Sequence, residues 1–283
     1  MQLEKWQALG NDYLIVEADA LPFALTPARV RRLCDVHLGV GADGVLLLSR
    51  SGDAGYVADL RIFNPDGSEA ELSGNGAREA IMYLRRAGWT DQDEFAIHTA
   101  AGPIRPTITG PTTCRVAMGR ASLTSADYPS GAADGRGSLE AGGRRFAFQH
   151  VCIGNPQCAI ALDSVAELQA LDLGAYGPSI EHSELFPRRT NVSWFVSLDE
   201  HTVRARIFER GVGETLSSGT GASGAAVAHV SRGGRSPVTV KLDGGDLEVE
   251  IDHELNLTLT GWAVPVYRAT LSPDFLEELH ATE

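Results

Sequence analysis

Two copies of a serine-glycine motif are the residues of this 283-residue chain best suited to chemistry. Ser73-Gly74-Asn75-Gly76-Ala77 and Ser218-Gly219-Thr220-Gly221-Ala222 are related by an offset of 145 residues. Each motif is expected to open a helix, whose first turn carries about half a positive charge and suits a carboxylate. Two such helix starts on opposite sides of one bound group suit removal of a proton from one face of a carbon and delivery of a proton to the other.

The register of this repeat extends beyond the two motifs. At the same offset Arg61-Ile62-Phe63 matches Arg206-Ile207-Phe208, Glu69 matches Glu214 and Ala80 matches Ala225, while Gly10-Asn11-Asp12 matches Gly154-Asn155-Pro156 at an offset of 144. A serine before a helix is commonly only an N-cap, and a glycine-rich turn only a turn. Chance does not supply the whole register, so the repeat indicates a duplicated half and favours a function. A phosphate-binding loop is disfavoured, because the Walker lysine and a Rossmann-type βαβ context are missing from the sequence.

The elements that would position the motifs follow from apolar periodicity and from helix start and stop signals. Helices are predicted from Thr26-Pro27 to about residue 36, from after Ser73 to about residue 87, and over 219–231, with short helices near 166–171 and 178–183. Strands are predicted at residues 2–7, 13–17, 45–48, 57–63, 95–99, 104–109, 114–118, 145–151, 157–162, 191–197, 203–208, 238–242, 247–251, 255–259 and 264–267. The segment 119–143 is rich in glycine, alanine and serine and is interpreted as a loop-dominated crossover between two halves.

Composition and charge exclude several classes of protein. Lys+Arg 24 against Asp+Glu 37 gives a net charge of −13, which would repel nucleic acid and anionic lipid. The sequence has no apolar run of membrane-spanning length and no signal-peptide layout, so a cytoplasmic protein is expected. Only two lysines, Lys5 and Lys241, are present, which disfavours a pyridoxal phosphate enzyme. The 4 cysteines and 8 histidines show no ligand spacing, so no metal site is expected.

Several of these motifs resemble those of one known family. Gly10-Asn11-Asp12, residues 61–69, Gly74-Asn75-Gly76-Ala77-Arg78, Gly154-Asn155-Pro156 and residues 209–215 resemble diaminopimelate epimerase, over essentially the whole chain. The resemblance implies an α+β fold of two pseudo-symmetric domains, each a β-barrel-like sheet wrapped around a central helix, with the active site in the interdomain cleft and no cofactor. The domains would comprise residues 1–118 with about 264–283, and residues 119–263.

The resemblance also assigns the site. In that family two cysteines act as the two bases of an epimerisation, and their positions fall on Ser73 and Ser218. The polar groups of a diamino diacid would be bound by Asn11, Asn64, Asn155, Asn191, Glu209 and Arg210. The backbone amides of Gly74, Asn75, Gly219 and Thr220 would hold the reacting α-carboxylate.

Serine at both cysteine positions is the main departure from the family. A thiol titrates near 8.5, whereas an alkyl hydroxyl keeps its proton at any physiological pH and needs an activating base. Two histidines that family members often place near the thiols are here Gln7, with Ala8, and Gln157. Glu209 has the best claim to act as the base, ahead of Glu214. Glu79 and Asp66 are expected on a helix surface and in a turn.

Two origins of the double replacement are open. Both thiols could have been exchanged for serine in an otherwise competent site, or the chain could be a natural branch with altered chemistry. The loss of both companion histidines favours divergence, because exchange of the nucleophiles alone would have left the histidines in place.

Three functions are therefore weighed. The first is an amino-acid epimerase of diaminopimelate type, acting from the LL to the meso form in lysine and peptidoglycan precursor synthesis. Arg210 distinguishes this hypothesis from the others, since the distal carboxylate of diaminopimelate needs a fixed bidentate partner. A solvent-facing Arg210 would remove the main support for diaminopimelate as the substrate. The second is a cofactor-independent isomerase or lyase on another small amino or carboxylic acid, and the third a non-catalytic ligand-binding homologue. A small-molecule partner, without nucleic acid or membrane, is expected in each case, and a homodimer is compatible with the sequence.

Overall fold

The fold consists of two compact units, here described from a computed structural model that covers residues 1–71 and 73–282. The first unit comprises Met1–Val116 together with the segment from Gly261 onward, and the second comprises Ala117–Thr260. The strands are β1 (Gln2–Ala8), β2 (Asn11–Glu17), β3 (Val45–Arg50), β4 (Ala58–Phe63), β5 (Glu69–Ala70), β6 (Ile97–Thr99), β7 (Gly102–Ile104), β8 (Thr107–Ile108), β9 (Thr113–Arg120), β10 (Arg136–Ala141), β11 (Arg144–Cys152), β12 (Pro156–Ala161), β13 (Asn191–Asp199), β14 (Thr202–Glu209), β15 (Gly213–Thr215), β16 (Val238–Lys241), β17 (Asp246–Ile251), β18 (Asn256–Trp262) and β19 (Val264–Thr270). The helices are α1 (Pro27–Cys34), α2 (Gly74–Arg86), α3 (Val165–Ala170), α4 (Leu173–Glu181), α5 (Gly219–Val230) and α6 (Pro273–Ala281), with one 3-10 turn at Ala18–Ala20.

The sheet of the first unit has eight strands in the order β19-β1-β2-β3-β4-β6-β7, with β5 beside β4. The pairs β2–β3 and β4–β6 are parallel, and the other pairs are antiparallel. The sheet of the second unit follows the same plan, in the order β10-β11-β12-β13-β14-β16-β17-β18 with β15 beside β14. Here the parallel pairs are β12–β13 and β14–β16. The duplicated topology is that of the predicted pseudo-symmetric α+β fold.

Each unit is built around one buried helix that follows a serine of the repeat. Every residue of α2 from Asn75 to Leu84 is buried, and α2 packs on β1, β2, β3 and β19. The buried stretch of α5 includes Gly221 to His229, and α5 packs on β11, β12, β13 and β14. A helix whose residues are buried on all sides lies inside a core rather than on a surface. The expectation of a sheet wrapped around a central helix is therefore confirmed for both units.

The register of the short strands confirms the repeat at the level of single residues. In the first unit Phe63 pairs with Glu69, and in the second Phe208 pairs with Glu214. The residues two positions earlier in β4 and β14 are arginines, and each is ion-paired with the glutamate of its own unit. Arg61 lies 2.8 Å from Glu69, and Arg206 lies 2.6 Å from Glu214.

Most predicted elements are found within a few residues, but the start of α4 was wrong, and β5, β10, β15 and α6 were not predicted. The segment 119–143 is not all loop, because Arg136–Ala141 forms β10 and turns Leu139 and Ala141 into the core. Helix α4 begins at Leu173 instead of 178, because Asp172 caps it and accepts the amide of Ala175 at 3.1 Å. Helix α6 was not predicted, although Ser272 and its proline repeat the Thr26-Pro27 signal of α1. Within residues 1–71 and 73–282, no helix has the length and apolar character needed to cross a membrane.

Candidate active site

The second unit brings Ser218 and Glu209 into direct contact. Ser218 is the N-cap of α5, where its Oγ accepts the amide of Gly221 at 3.2 Å. The same hydroxyl donates to Oε2 of Glu209, the last residue of β14, at 3.1 Å. Oε1 of Glu209 accepts the hydroxyl of Thr215 at 2.9 Å. A carboxylate held by two hydroxyls, one of them at a helix start, is the arrangement of a serine with an adjacent general base.

Burial sets the electrostatics of this contact. It raises the pKa of Glu209, because a carboxylate loses its hydration away from water, while the hydrogen bonds from Thr215 and Ser218 act in the opposite direction. A general base works best when its pKa lies near the operating pH, so a raised carboxyl pKa favours proton exchange. Glu209 therefore has the position and the shifted acidity that the activation of Ser218 requires.

The first unit gives Ser73 a different partner. Ser73 is the N-cap of α2, and its Oγ accepts the amide of Gly76 at 3.1 Å. The phenol of Tyr13 donates to the same oxygen at 3.1 Å. At the position that the 145-residue offset equates with Glu209 stands Asn64, whose amide donates to Ser68 Oγ at 2.9 Å. Among the described residues no carboxylate hydrogen-bonds to Ser73.

The helix starts themselves are organised alike in both units. Arg78 donates to the carbonyl of Gly74 at 3.1 Å, and Ser223, at the equivalent position, donates to the carbonyl of Gly219 at 2.8 Å. Arg78 also donates to the side-chain oxygen of Asn75 at 2.5 Å. The first amides of any helix have no partner within the helix, so such starts can accept an anion. This agrees with the predicted role of Gly74, Asn75, Gly219 and Thr220 without testing it.

The predicted polar binding residues are held by local hydrogen bonds. Asn11 donates to Asp43 at 2.8 Å, and Asn155 donates to Thr220 Oγ1 at 3.3 Å. Asn191 is buried, and its side-chain oxygen accepts the backbone amide of Arg210 at 2.9 Å. Asn155, Thr220, Asn191 and Arg210 thus belong to short contacts within the second unit, whereas Asn11 and Asn64 are tied to loops of the first.

Arg210 does not meet the expectation set for it. Its side chain is exposed, and its guanidinium donates to the carbonyl oxygen of Arg188 at 2.8 Å. Within the described part of the chain Arg210 forms no ion pair. The solvent-facing position removes the support that a buried arginine would have given to a second substrate carboxylate.

Two residues differ from their predicted environment or were missed. Glu79 is fully buried rather than on a helix surface, and neither of its carboxylate oxygens has a hydrogen-bond partner in the described residues. Burial raises its pKa well above the usual range, and neighbouring Arg78 opposes the shift. Tyr13 was not singled out, although it follows Gly10-Asn11-Asp12 and the 144-residue offset equates it with Gln157. Asp66 is exposed and accepts Ser68, as expected of a turn residue.

Comparison with known proteins adds independent evidence. The family model described as diaminopimelate epimerase matches residues 4–124 and 150–266, which include both serine motifs. The chain belongs to the diaminopimelate epimerase family. A diaminopimelate epimerase of Synechococcus sp. strain JA-3-3Ab is 39% identical over 279 residues, covering 95% of this chain and 98% of that protein. A diaminopimelate epimerase 2 of Nostoc sp. is 38% identical over 281 residues, covering 97% of this chain and 96% of that protein.

A solved structure with the same fold lies far from the chain in sequence. The crystal structure of a hydroxyproline epimerase from Agrobacterium vitis matches with a TM-score of 0.67 and 17% identity, covering 97% of this chain and 93% of that one. At this identity the likeness shows the fold alone. Membership of the diaminopimelate epimerase family and the two-domain α+β fold, both predicted from the motifs, are confirmed.

Proposed function

We propose that this protein is a cofactor-independent amino-acid epimerase of diaminopimelate epimerase type, an isomerase that converts LL- to meso-diaminopimelate for lysine and peptidoglycan precursor synthesis. Family membership and relatives matched over nearly the full length support the substrate. The observation that carries the proposal is the 3.1 Å hydrogen bond from Ser218 to Glu209 at one of two equivalent helix starts. The contact supplies the base that a serine at a cysteine position needs.

In the proposed mechanism two serine half-sites supply the acid and the base of the epimerisation. One half-site consists of Ser218 with Glu209, and the other of Ser73 with its partner Tyr13. The α-carboxylate would lie on the amides of Gly74, Asn75, Gly219 and Thr220, where the helix starts stabilise the charge that develops as the α-proton leaves. Asn11, Asn64, Asn155, Asn191, Glu209 and Arg210 would bind the remaining polar groups.

Such an enzyme is expected to be slow compared with its thiol relatives. An alkyl hydroxyl is a much weaker acid than a thiol, so forming the reactive oxygen costs more even with a carboxylate beside it. The proposal includes a cytoplasmic protein with a small-molecule amino-acid substrate and no nucleic-acid partner, in keeping with its net charge of −13.

One observation favours a second candidate function. Arg210 is exposed and is therefore not the buried cation that a distal carboxylate would need, while the pKa of Glu209 is raised as in a carboxylate base. A cofactor-independent isomerase or lyase acting on a small acid with one carboxylate would need only Glu209 and the helix starts. This candidate gains if diaminopimelate is not turned over.

The test is to incubate the protein with LL-diaminopimelate in deuterated water and to follow the α-proton signal by NMR. A Ser73→Cys/Ser218→Cys variant is run beside it. Exchange with formation of the meso isomer by the protein as it stands supports the proposal. Activity of the cysteine variant alone shows a diaminopimelate site whose serines do not react. If neither reacts, the substrate is wrong, and small amino and carboxylic acids are screened by thermal shift, where binding without turnover would identify a non-catalytic homologue.

A further inference from the structure

The hydrogen bonds of Ser73 leave it only one way to interact with a bound group. A serine hydroxyl has one donor proton and two acceptor lone pairs. Both lone pairs of Ser73 are occupied, one by the amide of Gly76 and the other by the phenol of Tyr13, each at 3.1 Å. Among the described residues no acceptor takes the hydroxyl proton of Ser73. The remaining capacity of Ser73 is therefore to donate.

The hydrogen bonds of Ser218 leave the opposite capacity. Its proton is committed to Oε2 of Glu209 at 3.1 Å, and one lone pair accepts the amide of Gly221 at 3.2 Å. In the described part of the chain, no other group donates a hydrogen bond to the second lone pair of Ser218 Oγ. The remaining capacity of Ser218 is therefore to accept.

We infer that Tyr13 is the positioning residue that holds Ser73 as a hydrogen-bond donor, so that in the resting enzyme Ser73 is set to give a proton while Ser218, whose own proton is held by Glu209, is set to take one. The inference rests on the proposed function, which supplies a reaction that removes and returns a proton. It deepens that function by stating which serine removes the proton when the resting enzyme binds substrate. It also adds Tyr13 to the residues on which turnover depends.

The ring of Tyr13 is fixed by two glycines. A Cβ atom on Gly44 would lie 2.6 Å from Cε1 of Tyr13, and a Cβ atom on Gly76 would lie 3.3 Å from Cε2. A side chain at Gly44 would clash with the ring, and one at Gly76 would crowd it. Tyr13 is 5% exposed, so its phenol is kept on Ser73 by packing as well as by the hydrogen bond. A group held this firmly can set which hydrogen bonds Ser73 makes.

The two half-sites differ in the residues at equivalent positions of the repeat. The position equivalent to Glu209 is Asn64, and the position equivalent to Tyr13 is Gln157, whose side chain donates to Asn155 at 2.7 Å. Each half therefore carries one acid-base group, and the two groups stand at non-equivalent positions of the repeat. The two halves share one fold, but Ser218 contacts a carboxylate and Ser73 contacts a phenol.

The proton balance of one turnover follows from these contacts. Ser218 Oγ takes the α-hydrogen as a proton while its own proton passes to Glu209, and the C–H bonding electrons remain on the α-carbon. Ser73 gives its proton to the resulting carbanion and receives the proton of the Tyr13 phenol. After the turnover Glu209 is neutral and Tyr13 is a phenolate, so net charge is conserved. Proton exchange with water, or the reverse turnover, restores the resting state.

The test is the Tyr13→Phe variant, which keeps the ring and removes the hydroxyl, assayed in deuterated water from the LL and the meso isomer separately. Inversion is expected to fall by about 100-fold in both directions, the lower end of the range for one acid-base group. Exchange without inversion is expected to persist for one isomer, the one whose α-proton Ser218 removes. Ser73→Ala should spare the same isomer, and Ser218→Ala should spare neither isomer or only the other one.

Tyr56→Phe, another phenol of the first unit, serves as the matched control and should change neither rate. Melting temperatures of all variants show whether the fold is kept. The inference is overturned if Tyr13→Phe inverts at the wild-type rate, or if it slows exchange of both isomers equally, as a merely structural role would. A wild-type protein that exchanges neither isomer would instead overturn the proposed function, so the two failures are distinguishable.

Discussion

The carboxylate of Glu209 accepts the hydroxyl proton of Ser218 across 3.1 Å, which joins the end of β14 to the start of α5. The contact is local, since the two residues are nine positions apart in the chain. Ser73 instead accepts the phenol of Tyr13, which stands at a position of the repeat that is not equivalent to Glu209. Two serines that occupy equivalent positions of a repeat therefore have different chemistry, and the expected consequences differ for each.

Replacement of Glu209 by glutamine should remove the base and little else. The amide keeps the size of the side chain and an acceptor for Ser218, but it cannot take up the hydroxyl proton. Epimerisation is expected to fall by about 100- to 10,000-fold in kcat, the usual range for loss of a general base. The matched control is Glu214→Gln, which alters the exposed ion pair with Arg206 in the adjacent strand. Equal rates for Glu209→Gln and the wild type would show that Ser218 is not activated by this carboxylate.

The rate should depend on pH through the same group. Glu209 must be ionised to accept a proton, and its pKa is raised by burial, so activity should rise with pH through a value above that of an ordinary glutamate. The hydrogen bond from Thr215 lowers this pKa. Thr215→Val, which removes the hydroxyl at similar volume, should therefore move the acid limb of the kcat/KM profile to higher pH. A limb at the same pH in both proteins would assign the titration to another group.

The sequence alone predicted a large part of this architecture, because the repeat fixes the register. Once Arg61 and Arg206 were matched, the strand, the turn and the helix that follows Ser73 or Ser218 were predicted for both halves, and the central position of each helix was implied by the resemblance. Patterns that repeat or that carry cap residues are visible in one chain without a structure. The strand at Arg136–Ala141 was missed, because glycine, alanine and serine conceal its alternation and its pairing with β11 is a tertiary fact.

The partners of the serines were predicted less completely. Glu209 was proposed because the resemblance places it in the site. The contact between Tyr13 and Ser73 joins residues 60 positions apart, and no local sequence pattern predicts it. Glu79 was expected on a helix surface, because a glutamate in a helix is usually solvated. It is buried because α2 is enclosed on all sides, which depends on the sheet rather than on the helix sequence.

The burial of Glu79 should make stability depend on pH. Its pKa is raised well above the usual range by desolvation, so the folded protein keeps a proton that the unfolded chain has already released. The free energy of unfolding should consequently fall as pH rises from the ordinary glutamate value through the folded one. Glu79→Gln has no charge to bury and should lack this fall, which makes it about 1–3 kcal/mol more stable than the wild type at high pH.

Urea unfolding of both proteins at pH 5 and pH 9 checks this prediction. Glu254→Gln changes an exposed glutamate and should leave the pH dependence as it is in the wild type. If the wild type and Glu79→Gln lose stability in parallel between the two pH values, Glu79 is not the group responsible.

Three of the four cysteines should not react with thiol reagents in the folded protein. Burial raises the pKa of Cys34 and Cys114 to about 12, and it raises that of Cys158 as well, so at pH 8 these thiols are protonated and shielded. Iodoacetamide should leave all three unmodified, with Cys152, which is partly exposed, as the one residue open to reaction. Mass spectrometry of the native and the urea-unfolded protein gives the number of modified cysteines in each state. Activity should survive treatment, whereas the Ser73→Cys/Ser218→Cys variant should lose it, and inactivation of the protein as it stands would point to a thiol mechanism.

The space around Tyr13 allows a last test of how firmly its ring is held. A Cβ atom on Gly44 would lie 2.3 Å from the carbonyl oxygen of Phe63 and 2.6 Å from the Tyr13 ring, whereas one on Gly52 would meet nothing within 4 Å. Gly44→Ala should cost about 1–3 kcal/mol of unfolding free energy, as overpacking commonly does. Gly52→Ala should stay within about 0.5 kcal/mol of the wild type. Denaturant unfolding separates the two.

If the alanine also pushes the phenol off Ser73, Gly44→Ala should slow inversion in the same way as Tyr13→Phe does. The two changes would then act on one contact, so the double variant should be no slower than the slower single variant. Additive losses would instead mean that Gly44 affects the rate by a route that does not pass through the phenol. A Gly44→Ala protein as stable and as active as the wild type would show that the ring has room to move, and the fixed donor role of Ser73 would then lack its packing support.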